Sequence, residues 1–340
     1  MKKLQILMVH GFKEEHCGTL DAFSEKITLY RERARTQEEV TAALDTYPDA
    51  EVLYTIHTPQ SWSDRWNIRW IQIHYAGSDH ILFDAMPRHV ELTTASGVNS
   101  VAVAEHALSL ILALRRRLPL VLRLQSQCSW PEPKDRWRAF ARPLLREETI
   151  GILGYGSIGR EIGRVAKSLG MRVLVYKRNP SQKNDRGFVL PGTGDPDGSI
   201  PDFFYGPEDL HGILNESDVI VNVLPATVQT EKILDREAFS AMKPSALFIS
   251  IGRGKTVDEA ALIEAIERGT LSGAGLDVFE TEPLSPSSRL WQFDNVIISP
   301  HVGGFFSRYD EIAMILFREN LSRYLLGKHL LNRVDRKLGY

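Results

Sequence analysis

The sequence predicts an α/β chain built from two doubly wound domains, and three observations carry that prediction. Short apolar runs alternate with longer helical patterns, the signature of βα units in parallel sheets. The 340 residues suffice for two domains, each with a sizeable core. In the second half, six strand-like runs separated by helical patterns give the count of a complete doubly wound sheet.

The elements follow in order. The first hundred residues hold strand candidates at Leu4–Val9, Lys26–Tyr30, Val52–Thr55, Trp70–His74 and Val90–Thr93. The stretch "NSVAVAEHALSLILALRRRL", Asn99 to Leu118, is apolar at helical spacing and is read as ended by Pro119. Its apolar density predicts a helix buried between larger units. A Trp-, Pro- and Arg-rich segment, Cys128 to Pro143, precedes the second series of strands. These are Thr149–Leu153, Arg172–Tyr176, Val219–Val223, Ala246–Ser250, Gly273–Asp277 and Val296–Ser299, with helical patterns at Gly156–Leu169 and Glu259–Arg268. Between Asn179 and Pro207 the chain is rich in Gly, Pro and Asp, and it reads as a long surface insertion outside the sheet. A last helix, roughly Tyr309 to Leu326, returns to the N-terminal unit. The expected division is residues 1–99 with 303–340 as one domain and 100–302 as the other.

Composition narrows the function classes. Hydrophobic residues make up 43% and charged residues 25%, which excludes a disordered chain. The formal net charge is −2 with both signs mixed, so no basic footprint for nucleic acid is present. The two cysteines, Cys17 and Cys128, are too few for a cysteine-based zinc cluster and fit a reducing cytosol. The start, "MKKLQILMVH", has too short an apolar run for a signal peptide, and no stretch reaches the roughly 18 apolar residues of a membrane span. The expectation is a cytoplasmic protein without a membrane or nucleic-acid partner and without a metal.

The stretch "TIGILGYGSIGREIG" places Gly154, Gly156 and Gly159 in a G-x-G-x-x-G spacing. Alone the pattern is weak, but here an apolar strand precedes it and an amphipathic helix follows. Gly154 permits the tight turn, Gly156 lets backbone approach a pyrophosphate, and Gly159 lets helix pack on strand. The helix N-terminus then offers N–H groups to the phosphates. The next strand, "RVLVYKRNP", ends where NAD-binding proteins place an acidic residue on the adenosine ribose, about 20 residues beyond the glycines. Here stand Lys177 and Arg178, which attract a 2′-phosphate that a carboxylate would repel, with Asn179 as a further hydrogen-bonding group. The cofactor reading is therefore NADP; the alternative is that Lys177 points to solvent, Arg178 stacks on adenine and NAD is accepted.

Three stretches sit where loops leave the carboxyl ends of later strands. In "FISIGRGKTVDEAAL" a strand runs into Gly252-Arg253-Gly254, and the planar arginine fork suits bidentate binding of a carboxylate. In "GAGLDVFETEPLSP" Glu280 and Glu282 follow a strand and Pro283 fixes the exit; in "NVIISPHVGGFF" His301 lies between Pro300 and Val-Gly-Gly. Each alone has a plain alternative, as a surface cation, a solvated carboxylate or a satisfied loop histidine. Together, beside a dinucleotide motif, they read as a catalytic set.

At this point the chain resembles the D-isomer-specific 2-hydroxyacid dehydrogenases, a group that includes glyoxylate/hydroxypyruvate reductases and phosphoglycerate dehydrogenases. The resemblance rests on "GYGSIG", "GRGKTVDEAAL", "DVFETEPL" and "PHVGG", and extends to "HYAGSDHI", "NSVAVAEHAL", "VNVLPATVQT" and the tail "NLSRYLLGKHLLNRV". It implies a Rossmann cofactor domain inserted in a flavodoxin-like substrate domain. It also implies that Arg253 binds the substrate carboxylate and 2-oxo group, that His301 is the general acid/base, and that Glu282 is its partner. Hydride from the nicotinamide and a proton from His301 would reduce a 2-oxo acid. A carboxylate beside an imidazole favours imidazolium and holds the ring, and Arg253 would stabilise the developing oxyanion. Backbone N–H groups at Ala76, Gly77 and Ser78 are the implied substrate contacts of the other domain. The cofactor is expected against Val103, the Gly154-Tyr155-Gly156-Ser157-Ile158-Gly159 turn, Lys177, Arg178 and Asn179. Further contacts are expected from Leu224, Pro225, Thr230, Ile251, Gly252, Asp277, His301 and Gly303. Asp258 is read as orienting the Arg253 loop.

The predicted activity is NADP(H)-preferring reduction of glyoxylate, hydroxypyruvate or a similar small 2-oxo acid, with two domains closing over the substrate. Formate dehydrogenases resemble this pattern but carry glutamine at the Glu282 position, so the glutamate favours 2-hydroxyacid chemistry. The alternative from another class is a dinucleotide-sensing binding protein similar to the C-terminal-binding-protein corepressors, which also keep the Arg/Glu/His set. Phe305-Phe306 depart from the smaller or polar residues common after the histidine loop and predict a more apolar or narrower acyl pocket. His57 reads as a surface histidine or one facing the cleft. Trp130 and Trp137 read as homodimer contacts, with packing within one chain as the alternative.

Overall fold

The computed structural model describes residues 2–79, 81 and 83–340. The chain divides into two compact units, residues 1–99 with 186–188 and 306–340, and residues 100–185 with 189–305.

The first unit is a five-stranded parallel sheet. Its elements are β1 (Leu4–Met8), α1 (Glu14–Gly18), β2 (Ile27–Arg31), α2 (Gln37–Thr46), β3 (Val52–Thr55), β4 (Trp70–Ile73) and β5 (Glu91–Thr93). The order β2-β1-β3-β4-β5 is the flavodoxin order. Because side chains alternate across a strand, β1 sends Leu7 to one face and Ile6 and Met8 to the other. Leu7 joins Leu53, Ile71 and the α2 residues Val40, Ala43 and Leu44. Ile6 and Met8 join Val52, Tyr54, Trp70 and Met314, Phe317 and Leu321 of the last helix. Phe188 belongs here too: its N–H donates to Asn332 Oδ1 at 2.9 Å. Asn332 in turn donates to the carbonyls of Thr94 and Ser96.

The second unit begins with α3 (Ser100–Arg115), α4 (Leu118–Ser126) and α5 (Pro133–Phe140). Pro119 does not end the first of these helices, as the sequence suggested. The helix stops at Arg115, Arg117 turns the chain at φ 54°, and Pro119 lies in the first turn of α4. A proline there loses no hydrogen bond, because first-turn N–H groups have no helical partner. Then come β6 (Thr149–Leu153), α6 (Ser157–Ser168), β7 (Arg172–Tyr176), β8 (Phe203–Tyr205), α7 (Leu210–Glu216) and β9 (Val219–Asn222). They are followed by α8 (Arg236–Ser240), β10 (Leu247–Ser250), α9 (Glu259–Glu267), β11 (Gly273–Leu276) and β12 (Val296–Ile298). The chain ends with α10 (Tyr309–Leu325) in the first unit.

The second sheet is parallel throughout, in the order β12-β11-β10-β9-β6-β7-β8. Counted from β6, this is the Rossmann order 3-2-1-4-5-6 with a seventh strand added. The third strand of that order is β8, which lies inside the segment read from sequence as an insertion outside the sheet. That reading is corrected: Leu174 pairs with Phe203 and Tyr176 with Tyr205. Three residues between Pro201-Asp202 and Gly206-Pro207 are too short a run to register beside so many turn residues. Residues Val103, Ala107 and Ile111 of α3 pack with Ile162 and Ala166 of α6 on one face of the sheet. Ala261, Leu262 and Ala265 of α9 pack on the other.

Candidate active site

In a parallel α/β sheet, ligands gather outside the carboxyl ends of the strands, at the point where strand order reverses. In the second unit that point lies between β6 and β9. Gly154 leaves β6 at φ 100°, a conformation that side chains avoid, and a Cβ there would lie 3.0 Å from the Val223 carbonyl oxygen. A Cβ on Gly159 would lie 2.2 Å from the Gly154 carbonyl oxygen, so only glycine lets α6 start so close to the turn. At Gly156 a Cβ would meet nothing within 4 Å among the described residues beyond its own chain neighbours. It borders open space where a phosphate can approach backbone. Among the described residues no side chain caps α6 by a hydrogen bond and no acidic residue stands in its first turn, so the positive end of its dipole is directed at that space. These residues fit a dinucleotide pyrophosphate.

The far end of that motif is tied down by residues after β7. Tyr155 donates to Asp195 Oδ2 at 2.7 Å, and Arg160, almost fully buried, donates to the carbonyls of Asp195 and Lys183. The segment after β7 is thus folded against the first turns of α6, not splayed on the surface. Lys177 is half-buried and its ammonium donates to the Gln182 carbonyl at 2.5 Å. Burial lowers its pKa, the charge of Arg160 adds to the drop, and Asp185 opposes it. Arg178 and Asn179 are exposed, and Asn179 Oδ1 accepts from Ser181.

The loops after β9, β10, β11 and β12 converge. After β9, Thr230 fixes the Leu224-Pro225 turn by donating to the Pro225 carbonyl at 2.6 Å. After β10, a Cβ on Gly252 would lie 2.8 Å from the Leu224 carbonyl oxygen, and one on Gly254 only 1.9 Å from the Phe279 carbonyl. The two glycines let the Arg253 loop wedge between its neighbours. Arg253 Nη1 donates to the Gly252 carbonyl at 2.9 Å, and its own carbonyl accepts from Thr256 Oγ1 at 2.7 Å. The Asp258 carboxylate caps α9 by accepting from the Ala261 N–H at 3.1 Å. The bracing comes from Asn222, fully buried, which donates to Thr256 Oγ1 at 2.8 Å and to Ser250 Oγ at 3.2 Å.

After β11, Glu280 and Glu282 part company. Glu280 pairs with Lys232 at 2.7 Å. Glu282 accepts the Phe279 N–H on Oε1 and meets His301 Nδ1 with Oε2 at 2.7 Å. His301 itself sits at φ 53°, a left-handed conformation costing on the order of 1 kcal/mol or more in a non-glycine residue. Asp277 over-determines it. Its carboxylate, 3% exposed, accepts the N–H groups of Val302 and Gly303 at 3.0 and 2.9 Å and the Ser299 hydroxyl at 2.5 Å. His106 of α3 adds Nε2 contacts to Ser299 Oγ at 2.9 Å and Asp277 Oδ1 at 3.3 Å. Burial works against the Asp277 charge, but the bonds from His106, Ser299, Val302 and Gly303 outweigh it and hold the pKa below the ordinary value.

The structure therefore joins Glu282 to His301 directly and links the Arg253 loop to the Glu282 loop through Gly254. Val103 and Ile251 are buried in the same unit. Sequence reasoning missed His106, Asn222 and Thr256; a polar residue inside an apolar run was the available signal for the first two. Replacing Asn222 with alanine is expected to leave buried donors and acceptors unpaired and to destabilise the second unit by about 2 kcal/mol. Thermal denaturation should read a midpoint lower by roughly 4–8 °C, and an unchanged midpoint refutes the bracing role.

The first unit holds the remaining expected contacts. Ala76, Gly77 and Ser78 follow β4, and among the described residues no protein group accepts from their N–H groups. Ser78 Oγ donates to the Gly339 carbonyl at 2.8 Å, which fixes the loop. His80 of the same stretch lies outside the described residues. His57 is half-buried in a turn closed by Thr55 Oγ1. In the second unit Phe305 is exposed, while Phe306 of the first packs beside Tyr309 with ring centroids 5.6 Å apart.

A glycine cradle at the switch point of a Rossmann sheet, with a carboxylate-held histidine and an arginine at neighbouring strand ends, defines a dinucleotide-dependent oxidoreductase. The family model described as D-isomer specific 2-hydroxyacid dehydrogenase, NAD binding domain, matches residues 108–303. The chain belongs to that family. It is 29% identical to a glyoxylate reductase of Pyrococcus furiosus over 96% of this chain and 94% of the relative. It is 33% identical to a glyoxylate reductase of Thermofilum pendens over 77% of this chain and 73% of the relative. Among solved structures it is similar to a D-isomer specific 2-hydroxyacid dehydrogenase from Xanthobacter autotrophicus in complex with NADPH and MES. That match has a TM-score of 0.78 and 25% identity, over 98% of this chain and all of the other.

Proposed function

We propose that the chain reduces a small 2-oxo acid of the size of glyoxylate or hydroxypyruvate to the D-2-hydroxy acid, with NADPH as the favoured cofactor. The observation that supports this most is the 2.7 Å contact between His301 Nδ1 and Glu282, held at the strand ends beside the glycine cradle. NADPH, when bound, supplies a hydride to C2 of the substrate. His301, with Nδ1 occupied by Glu282, has Nε2 left to give a proton to the carbonyl oxygen. Glu282 fixes the ring and balances the imidazolium before the transfer. Arg253 takes the substrate carboxylate in its fork and stabilises charge on the oxygen as the carbonyl is reduced. In the first unit, the N–H groups of Ala76, Gly77 and Ser78 are the proposed carboxylate donors.

Initial rates with glyoxylate, hydroxypyruvate, pyruvate and bulkier 2-oxo acids test the reading. Turnover is expected with the smaller acids. Bound cofactor with no turnover on any of them would sink the reductase and favour the binding-protein alternative.

The cofactor preference rests on the end of β7, where cations replace the usual carboxylate; the NADPH complex of the Xanthobacter relative agrees with it. With Lys177 turned to Gln182, exposed Arg178 is the proposed main contact of the 2′-phosphate. kcat/KM is expected to favour NADPH over NADH, and Arg178→Ala should cut that ratio by about tenfold, the worth of a charge-assisted hydrogen bond. An NADH preference in the unaltered protein overturns the assignment. A homodimer through the second unit is also proposed. Trp130 is 84% exposed and Trp137 77%, against the alternative of packing within one chain. Two separate free cysteines agree with a cytoplasmic setting.

A further inference from the structure

The first unit carries a cluster for which the proposed reaction has no use. His10 follows β1, His74 follows β4 and Asp310 lies in the first turn of α10, so three elements far apart in sequence meet at one end of the sheet. Both imidazoles turn Nε2 toward the same carboxylate oxygen: Asp310 Oδ1 lies 3.5 Å from His10 Nε2 and 3.4 Å from His74 Nε2. An N–H···O hydrogen bond spans about 2.7–3.2 Å, so neither contact is a good one. A tetrahedral ion with bonds of about 2.0–2.2 Å to nitrogen and oxygen separates its ligands by roughly 3.3–3.5 Å. The two nitrogen-to-oxygen spacings match those between ligands of such an ion, and all three candidate ligand atoms lie within 4.8 Å of one another.

The surroundings point the same way. His74 is 5% exposed, and its other ring nitrogen, Nδ1, lies 2.9 Å from the hydroxyl of Tyr54, which is fully buried. A metal-ligating histidine almost always has its second nitrogen held by such an oxygen, which sets the tautomer and the ring plane. The Tyr309 hydroxyl donates to the His74 carbonyl at 2.8 Å and fixes the backbone as well. The His10 and His74 rings stack with centroids 3.9 Å apart and planes 24° apart, so a shared ion requires the His10 ring to swing outward. That ring packs edge-on against Phe12 with centroids 4.6 Å apart, and its polar contact is the Asp310 carboxylate itself. The Asp310 side chain is 36% exposed, which leaves an entry path and room for a water ligand.

The structure assigns to His10 Nε2, His74 Nε2 and Asp310 a binding site for a divalent transition metal of the zinc class, with water completing the tetrahedron. Two imidazoles and one carboxylate favour zinc and its neighbours over magnesium or calcium, which take oxygen donors. The ion would pin the first turn of α10 to the ends of β1 and β4 and stabilise the first unit, independently of hydride transfer.

The test uses the full chain stripped with a chelator and titrated with Zn²⁺ by calorimetry and with Co²⁺ by visible absorption. One equivalent is expected, with the intense bands of tetrahedral Co²⁺ and a raised melting temperature in Zn²⁺. His10→Ala and Asp310→Asn should each weaken Zn²⁺ binding by about 100-fold or more, and Tyr54→Phe by about tenfold. Far-UV circular dichroism and NADPH fluorescence check that the variants are folded. If a variant does not fold, protection of His10 and His74 from diethylpyrocarbonate by Zn²⁺ in the unaltered protein, read by mass spectrometry, decides in its place. No saturable binding at micromolar metal, binding that survives both substitutions, or protection of other histidines only would each overturn the assignment.

Discussion

Replacing His301 with alanine is expected to lower kcat for glyoxylate about a thousandfold, while NADPH still binds with near-native affinity in a fluorescence titration. Hydride arrival at C2 leaves an alkoxide, and a positioned acid that protonates it is worth 10²–10⁴ in rate, so a thousandfold loss corresponds to about 4 kcal/mol. The positioning is unusually complete here. Glu282 holds Nδ1, and the left-handed backbone of His301 is locked by the two N–H bonds that Asp277 accepts just beyond it. Alanine would remove the proposed acid but leave the Asp277 contacts to Val302 and Gly303, so the loop and the glycine cradle should persist. Parallel loss of cofactor binding would instead place His301 in the scaffold and sink the acid/base assignment. Glu282→Gln should cost less than His301→Ala, because the amide still holds the ring but no longer balances its charge.

The sheets were legible because parallel strands buried on both faces read as near-continuous apolar runs, as in Val52–Thr55 and in residues 173–176. β8 escaped for the opposite reason. An edge strand of three residues between two proline-containing turns has no period to detect, and the rest of its segment is ordered by Asp195 and Arg160. Pro119 misled because proline signals both a helix end and a helix start, and only the left-handed Arg117 decides between them. Arg253, Glu282 and His301 of the proposed site stood out because glycines and prolines at strand ends mark them. Asn222 and His106 did not, since what each holds is set by pairings between elements distant in sequence. Asp258, an acid before "EAAL", has the pattern of an ordinary helix N-cap, and it caps α9.

Arg253 carries the other large expected effect, and its two substitutions separate charge from shape. Arg253→Ala should lower kcat/KM for a 2-oxo acid by about 10³ or more, because it would remove both the proposed carboxylate clamp and the proposed donor to the developing oxyanion, the latter alone worth about 10²–10³. Arg253→Lys keeps the charge, yet it should recover only a small part. An ammonium is a point charge on a flexible stem and cannot make two parallel bonds to a carboxylate. The backbone cannot shift to compensate. Gly252 is pressed against the Leu224 carbonyl and Gly254 against Phe279, so the Cα of residue 253 is fixed between them. The lysine variant is therefore expected to show a raised KM together with a reduced kcat, as when ground-state and transition-state contacts are both lost. Free guanidinium should partly restore turnover in Arg253→Ala, whose NADPH affinity should stay unchanged. A lysine variant within about threefold of the parent kcat/KM, or an alanine variant that guanidinium does not help, would mean the arginine acts through its backbone loop and not through its fork.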